Sequence, residues 1–211
     1  MSGEATRRPG GRPTADAAAL LETSILDQAT AAFLADGYAA TTIEAIARTC
    51  GVAKRTIYAR WNGKSSLFRA VLQRLMTKWL SSAGDWTLAD SLETALNQAA
   101  ERILAVALTP EAVALHRLLI AESARFPELA PMLRQAGATE GTMRIAALLD
   151  DAVSRGMLPK QDTGFAAEQF LHLVLAGPQR RALGLGPPFH EQQRQVWQKA
   201  TVKLFLSGVK S

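Results

Sequence analysis

Residues 41–68, TTIEAIARTCGVAKRTIYARWNGKSSLF, constrain the fold more than any other stretch of the chain. Thr41 and Glu44 stand at the three-residue offset of a capping box, which predicts a helix starting at Thr41. Ile43, Ile46 and Ala47 repeat at helical spacing and supply its apolar face. Gly51 ends that helix, because glycine enters the left-handed conformation without steric cost, and Val52 is the expected anchor of the turn. A second short helix follows, with Lys54, Arg55, Thr56, Tyr58 and Arg60 crowded into seven residues. Helix, glycine turn, then a helix dense in cations and hydroxyls is the pattern of a helix-turn-helix. The expectation is a DNA-reading element that the remainder of the chain aims and regulates.

The charge distribution agrees. Residues 1–80 hold eleven Lys and Arg against six Asp and Glu, and residues 81–211 hold thirteen against thirteen, so the whole net charge of +5 lies in the first segment. A basic head on a neutral body suits a phosphate-binding module on a separate scaffold. With 211 residues, 48% hydrophobic and 20% charged, the chain can bury a sizeable core. Few aromatics and much alanine favour an all-α fold. The single cysteine, Cys50, excludes an intramolecular disulfide and suits a reducing cytoplasm. The N-terminus lacks the apolar segment of a signal peptide, and no run of eighteen uncharged apolar residues predicts a membrane span.

In chain order, residues 1–15 read as a flexible basic arm. Its Arg7, Arg8 and Arg12 lie among glycine and proline, as in a minor-groove hook, and a generally cationic tail is the even alternative. A first helix is expected over 17–35 with Phe33 inside, stopped by Gly37 and followed by Tyr38. A long fourth helix is expected over 64–82, its inner stripe running Leu67, Phe68, Val71, Leu72, Leu75, Met76 and Trp79. Beyond it the periodicity predicts helices over 88–108 and over 110–120 with Thr109 as cap and Pro110 at the first position, then a short connecting helix punctuated by Phe126-Pro127 and Ala130-Pro131, and a helix over 132–155. A helix over 165–183, capped by Asp162 or Thr163, and a last one opened by Pro187 and Pro188 complete the chain.

The order Phe33, Gly37, Tyr38, Thr41, Thr42, Ile43, Ile46, Ala47, Gly51, Val52, Thr56, Ile57, Tyr58, Lys64, Leu67 and Phe68 resembles the TetR family of bacterial transcriptional regulators over about 50 residues. Ala53 departs from it, standing where a capping serine is common, which costs about 1 kcal/mol locally. Trp61 replaces a common phenylalanine and remains a large anchor. The stretch from His116 through Arg125, Phe126, Pro127, Glu128 and Leu129 to Gly156 resembles the AefR-like C-terminal domain of the same family. The expected organisation is a three-helix DNA-binding domain over 16–63 and a helical regulatory and dimerisation domain over 64–211, with about nine helices in all.

Side chains at the start of a reading helix reach deepest into the major groove, which assigns Lys54 and Arg55 to base edges. Thr42, Thr56 and Tyr58 offer hydroxyls to phosphates, Tyr58 being alternatively a core residue. Lys64 lies where its ammonium and a helix N-terminus share one phosphate. One such head buries too little surface for high specificity, so a homodimer on a palindromic operator is expected. The resemblance implies a four-helix interface from the last two helices of each copy. Its candidate residues are Leu171, Val174, Leu175, Val196, Trp197, Ala200 and Leu204. Regulators of this type release DNA when a small effector binds the body. Trp79, Trp86, Phe126, Met143 and Phe170 are the candidate pocket lining, with His116, Arg117, Glu122, Gln169 or His172 orienting the effector.

Rival functions find less support. His116, His172 and His190 are dispersed without metal-ligand spacing, and the loop at Gly184 lacks the lysine of a phosphate loop. Asp150 and Asp151 diverge on a helix and cannot act as a pair. No enzyme, cofactor or metal site is therefore expected. A helical adaptor or membrane-surface protein leaves the glycine turn and the one-sided charge unexplained. A redox role for Cys50 competes with its being a small buried hydrophobe.

Overall fold

The computed structural model describes residues 15–210, apart from positions 83, 85, 89 and 90. The described residues form ten α-helices and one π turn, with no strand among them, so the all-α expectation holds with one helix more than expected. Helix α1 (Ala15–Ala40) buries Ile25, Ala29 and Phe33 at four-residue spacing. Gly37 interrupts it at φ 86°, ψ 171°, a conformation essentially confined to glycine, and one further turn follows. The expected stop at Gly37 is thus a kink.

Helix α2 (Ile43–Thr49) begins one residue later than the capping-box reading placed it. Its cap is Thr42, whose hydroxyl accepts from the Ala45 N–H at 3.1 Å. Thr41 is buried and donates to the Gly37 carbonyl at 2.7 Å. Helix α3 (Lys54–Tyr58) has no side-chain cap at Ala53, as expected. The Thr56 N–H reaches the Ala53 carbonyl at 2.9 Å. Helix α4 (Lys64–Ser82) buries Leu67, Phe68, Val71, Leu72, Leu75 and Met76.

In the rest of the chain, α5 (Leu92–Ala107) starts at a Ser91 cap, four residues beyond the expected onset. Helix α6 (Pro110–Glu122) has Thr109 as cap and Pro110 at its first position, as read. Helix α7 (Leu129–Leu133) is the expected short connecting helix, and the helix expected over 132–155 is interrupted by a π turn (Arg134–Ala138) before α8 (Glu140–Ser154). Gly137, Thr139 and Gly141 fall within five residues there, and such weak helix formers permit the wider turn. Asp162 caps α9 (Thr163–Ala182), and α10 (Glu191–Val209) starts after His190, later than the proline pair suggested. No single helix among the described residues is long and apolar enough to cross a membrane.

Two apolar clusters hold the helices, and they do not follow chain order. The first joins Phe33, Ile46, Ile57, Phe68 and Leu72 to Leu115 and Leu118 of α6 and Leu129 and Met132 of α7. The second joins Leu96, Leu104, Ile145, Leu149, Phe170 and Val202 from α5, α8, α9 and α10. Helices α6 and α7 are therefore built into the core of the N-terminal head. Each large side chain buried this way contributes about 1.5–3 kcal/mol, so the head cannot be detached from α6 without substantial loss.

Candidate nucleic-acid interface

The turn between α2 and α3 is closed by Gly51 at φ 64° and by the Val52 N–H donating to the Ala47 carbonyl at 2.9 Å. Ile57 is fully buried and Trp61 nearly so, which pins one face of α3 to the core. The other face is left to solvent. Lys54, Arg55 and Tyr58 lie on it, and Tyr58 is 51% exposed, which removes its reading as core. Thr42 is exposed; its oxygen caps α2, leaving its O–H to donate outward. Thr56 is half-buried.

Sequence reasoning gave Glu44 only a capping role. Its carboxylate instead accepts from Lys54 Nζ at 2.7 Å across the turn. That hydrogen bond, and one to its own backbone N–H, hold the Glu44 carboxyl below the usual carboxylate range. Lys54 sits at a helix N-terminus, where its charge opposes the helix dipole, and Glu44 offsets this. Among the described residues the Arg55 guanidinium has no hydrogen-bonding or ionic partner, so its five donors are available. Arg12 lies outside the described residues.

Lys64 is not free in the way its phosphate assignment supposed. Its Nζ donates to the carbonyls of Tyr38 and Ala39 at 2.9 and 3.1 Å, and lies 4.7 Å from the Tyr38 ring centroid. One of its three N–H donors remains for a phosphate. From the other side, the N–H groups of Tyr38 and Ala39 donate to Oε1 and Oε2 of Glu122, each at 2.7 Å. The Tyr38 ring packs edge-on against Phe68 at 5.1 Å and Phe126 at 5.0 Å. The segment just before the reading motif is thereby fastened to α4 and to the end of α6.

With that geometry in view, two family descriptions match the chain. "Bacterial regulatory proteins, tetR family" covers residues 25–71, which includes α2, α3 and the kink, and "AefR-like transcriptional repressor, C-terminal domain" covers 94–208, more than half of the sequence. The chain belongs to the TetR family. It is a DNA-binding transcriptional repressor and not an enzyme. The flavonoid-responsive regulator FrrA is 30% identical over 90% of this chain and 97% of its own, with a TM-score of 0.78. A structure described as a TetR-family transcriptional regulator from Mesorhizobium loti MAFF303099 is 27% identical over 92% and 98%, also with a TM-score of 0.78. A TetR-family regulator from Pseudomonas syringae pv. tomato is 25% identical over 88% and 94%, with a TM-score of 0.72. No curated protein sequence matches significantly.

The residues expected to line an effector pocket of this TetR-family chain are not brought together. Trp79 and Phe126 pack on the head cluster, whereas Trp86 and Phe170 belong to the second cluster. Met143 is 62% exposed, and Gln169 and His172 are also exposed. His116 is half-buried on α6 and Arg117 is exposed. Glu122, expected to orient an effector, is engaged by the head. Helical spacing gives the period of a face but not which neighbour covers it, and here the candidates are divided between two clusters.

The expected dimer residues divide. Val196 (68% exposed), Leu204 (64%) and Ala200 lie on the surface of α10. Leu171, Leu175 and Trp197 are half-buried, and the Trp197 indole donates to the Val174 carbonyl at 3.3 Å. Val174 is fully buried between α9 and its neighbours and is unavailable to a second copy, which corrects its assignment. Phe165 (60% exposed) and Leu173 were missed; with Gln169 and Leu204 they line a groove between α9 and α10. No cluster of His, Cys, Asp or Glu able to hold a metal occurs among the described residues.

Proposed function

We propose that the protein acts as a homodimer on a pseudopalindromic operator and releases it when a small apolar effector binds the helical body. The observation that carries this reading is the α3 face: Lys54, Arg55 and Tyr58 point outward from a helix whose other side is locked by Ile57 and Trp61. Lys54 and Arg55 contact base edges, with guanine the preferred partner of Arg55. Thr42, Thr56, Tyr58 and the remaining Lys64 donor hold phosphates on either side, and Arg12 of the basic arm enters the adjacent minor groove. Residues 16–63 form the reading domain and 64–211 the regulatory and dimerisation domain, with α4 linking them. The protein works in the cytoplasm, at the nucleoid.

Dimerisation is supported by the apolar residues that α9 and α10 leave exposed: Phe165, Leu173, Val196 and Leu204. Large side chains of this kind, on adjacent helices, make a self-complementary seam of the type a two-fold dimer buries. Two heads then read half-sites about 34–36 Å apart or a multiple of that distance. The 30% identity to a flavonoid-responsive regulator makes planar phenolic compounds the first effectors to test.

Selection of duplexes from a random pool, with sedimentation of the free protein and of Leu204→Glu, tests this reading. The expected results are a recovered inverted repeat, a dimer for the unsubstituted protein and a monomer for the variant. Recovery of no sequence preference, or a monomeric unsubstituted protein, contradicts it.

A further inference from the structure

We propose that Glu122 is a positioning residue for DNA reading: it is the point at which the body sets the orientation of the head. The inference deepens the two-headed reading above and rests on it. At the kink in α1, Gly37 turns the chain out of the helix, and the next two peptide N–H groups lose their intrahelical acceptors. Both donate to the one carboxylate of Glu122, 84 and 83 residues further on. The carbonyls of the same two residues are taken by Lys64, and the Gly37 carbonyl by Thr41. The N–H and C=O groups of both Tyr38 and Ala39 are thus held, and the body's share of the holding is a charged, two-pronged contact.

The corner leads directly into the reading unit. Thr41 is buried beside it and Thr42 caps α2, which carries Glu44 and, through the Gly51 turn, α3. A shift of the Glu122 carboxylate therefore shifts the origin of α2. Glu122 is the last residue of α6, and the other end of that helix is tied to α4 by Lys78 Nζ and Glu111 Oε2 at 2.7 Å. Helix α6 consequently bears on the head through two elements, and any ligand that displaces it acts on both.

The sequence is adapted to the contact in a way that the turn alone does not demand. A Cβ built on Gly37 would overlap Glu122 Oε1, so glycine serves both the positive φ and the close approach. Phe126, four residues past Glu122, seals the contact by packing on the Tyr38 ring. The contact is charged, part-buried and aimed at backbone, which is the arrangement of a positioning contact.

The test compares Glu122→Gln with the unsubstituted protein on three duplexes: the selected operator, the same operator with one base pair inserted between its half-sites, and random DNA. The amide keeps volume but offers one acceptor where two are needed. Expected results are a loss of at least tenfold on the operator, a smaller penalty for the insertion, and random-DNA affinity within twofold. An equal loss on operator and random DNA, or no loss on the operator, overturns the proposal. If the unsubstituted protein shows no insertion penalty, the two-headed reading fails instead. Should Glu122→Gln not fold, amide exchange in the unsubstituted protein decides. The Tyr38 and Ala39 amides should exchange in step with the end of α6, and exchange independent of α6 overturns the assignment.

Discussion

Lys54 and Glu44 face each other across the helix-turn-helix, with Nζ and Oε1 2.7 Å apart. A cation meant for DNA is held, in the free protein, by an acid from the preceding helix. Replacing Glu44 with glutamine frees Lys54 and removes a negative charge from the DNA-facing surface. Affinity for random duplex should rise roughly 3- to 10-fold at low salt, and the gain should fade as salt screens it. Fluorescence anisotropy across a salt series measures this.

The pH dependence follows from the same pair. Glu44 has a lowered pKa in the folded protein, so the ion pair is present throughout and above the ordinary carboxylate range. It is lost only as pH falls through that lowered value. The Glu44→Gln phenotype should therefore be constant between about pH 6 and 8, and a phenotype that changes across that window contradicts the pairing.

Lys64 carries two duties that one substitution separates. Lys64→Ala removes charged hydrogen bonds to Tyr38 and Ala39, costing about 1–3 kcal/mol of stability. It should also weaken all DNA sequences alike and lower the salt slope by about one per head. Melting curves together with salt-titrated binding read both effects. Loss of stability with an unchanged slope would confine Lys64 to the corner.

Gly37→Ala meets two obstacles at once, a φ of 86° and the Glu122 carboxylate. The expected cost is about 2–4 kcal/mol, or a melting temperature lowered by roughly 5–15 °C for a chain of this size. A change under about 2 °C would show that the corner relaxes without penalty.

Cys50 closes α2 half-buried, and burial pushes its thiol above its ordinary pKa. The thiolate that peroxide attacks is correspondingly scarce at neutral pH. DNA binding should be unchanged after peroxide treatment, with Cys50 mostly unmodified by mass spectrometry.

The reading head was legible because its signals are local. Gly51 and the Thr109 and Pro110 pair each act within a few residues and stand where the spacing put them, and of the two candidate caps Asp162 and Thr163 the first is used. The one-residue slip from Thr41 to Thr42 has a plain cause. Two adjacent threonines precede the same helix, and Glu44 answers to Lys54 instead of to a cap. What periodicity could not carry was the partner of a face. Val174 and Val196 look alike in sequence, yet the first is enclosed by the second cluster and the second is exposed. The Glu122 contact is still less visible, since its backbone donors, 84 and 83 residues earlier, exist only because the kink at Gly37 frees them.

The central claim is that α3 reads sequence through Arg55, and one comparison tests it most directly. Binding of Arg55→Ala is measured on the selected operator and on random duplex at one salt concentration. The account predicts a loss of about 1–3 kcal/mol on the operator, relaxed preference at one base pair of each half-site, and a much smaller loss on random DNA. An equal loss on both duplexes would make Arg55 a phosphate contact and contradict the account.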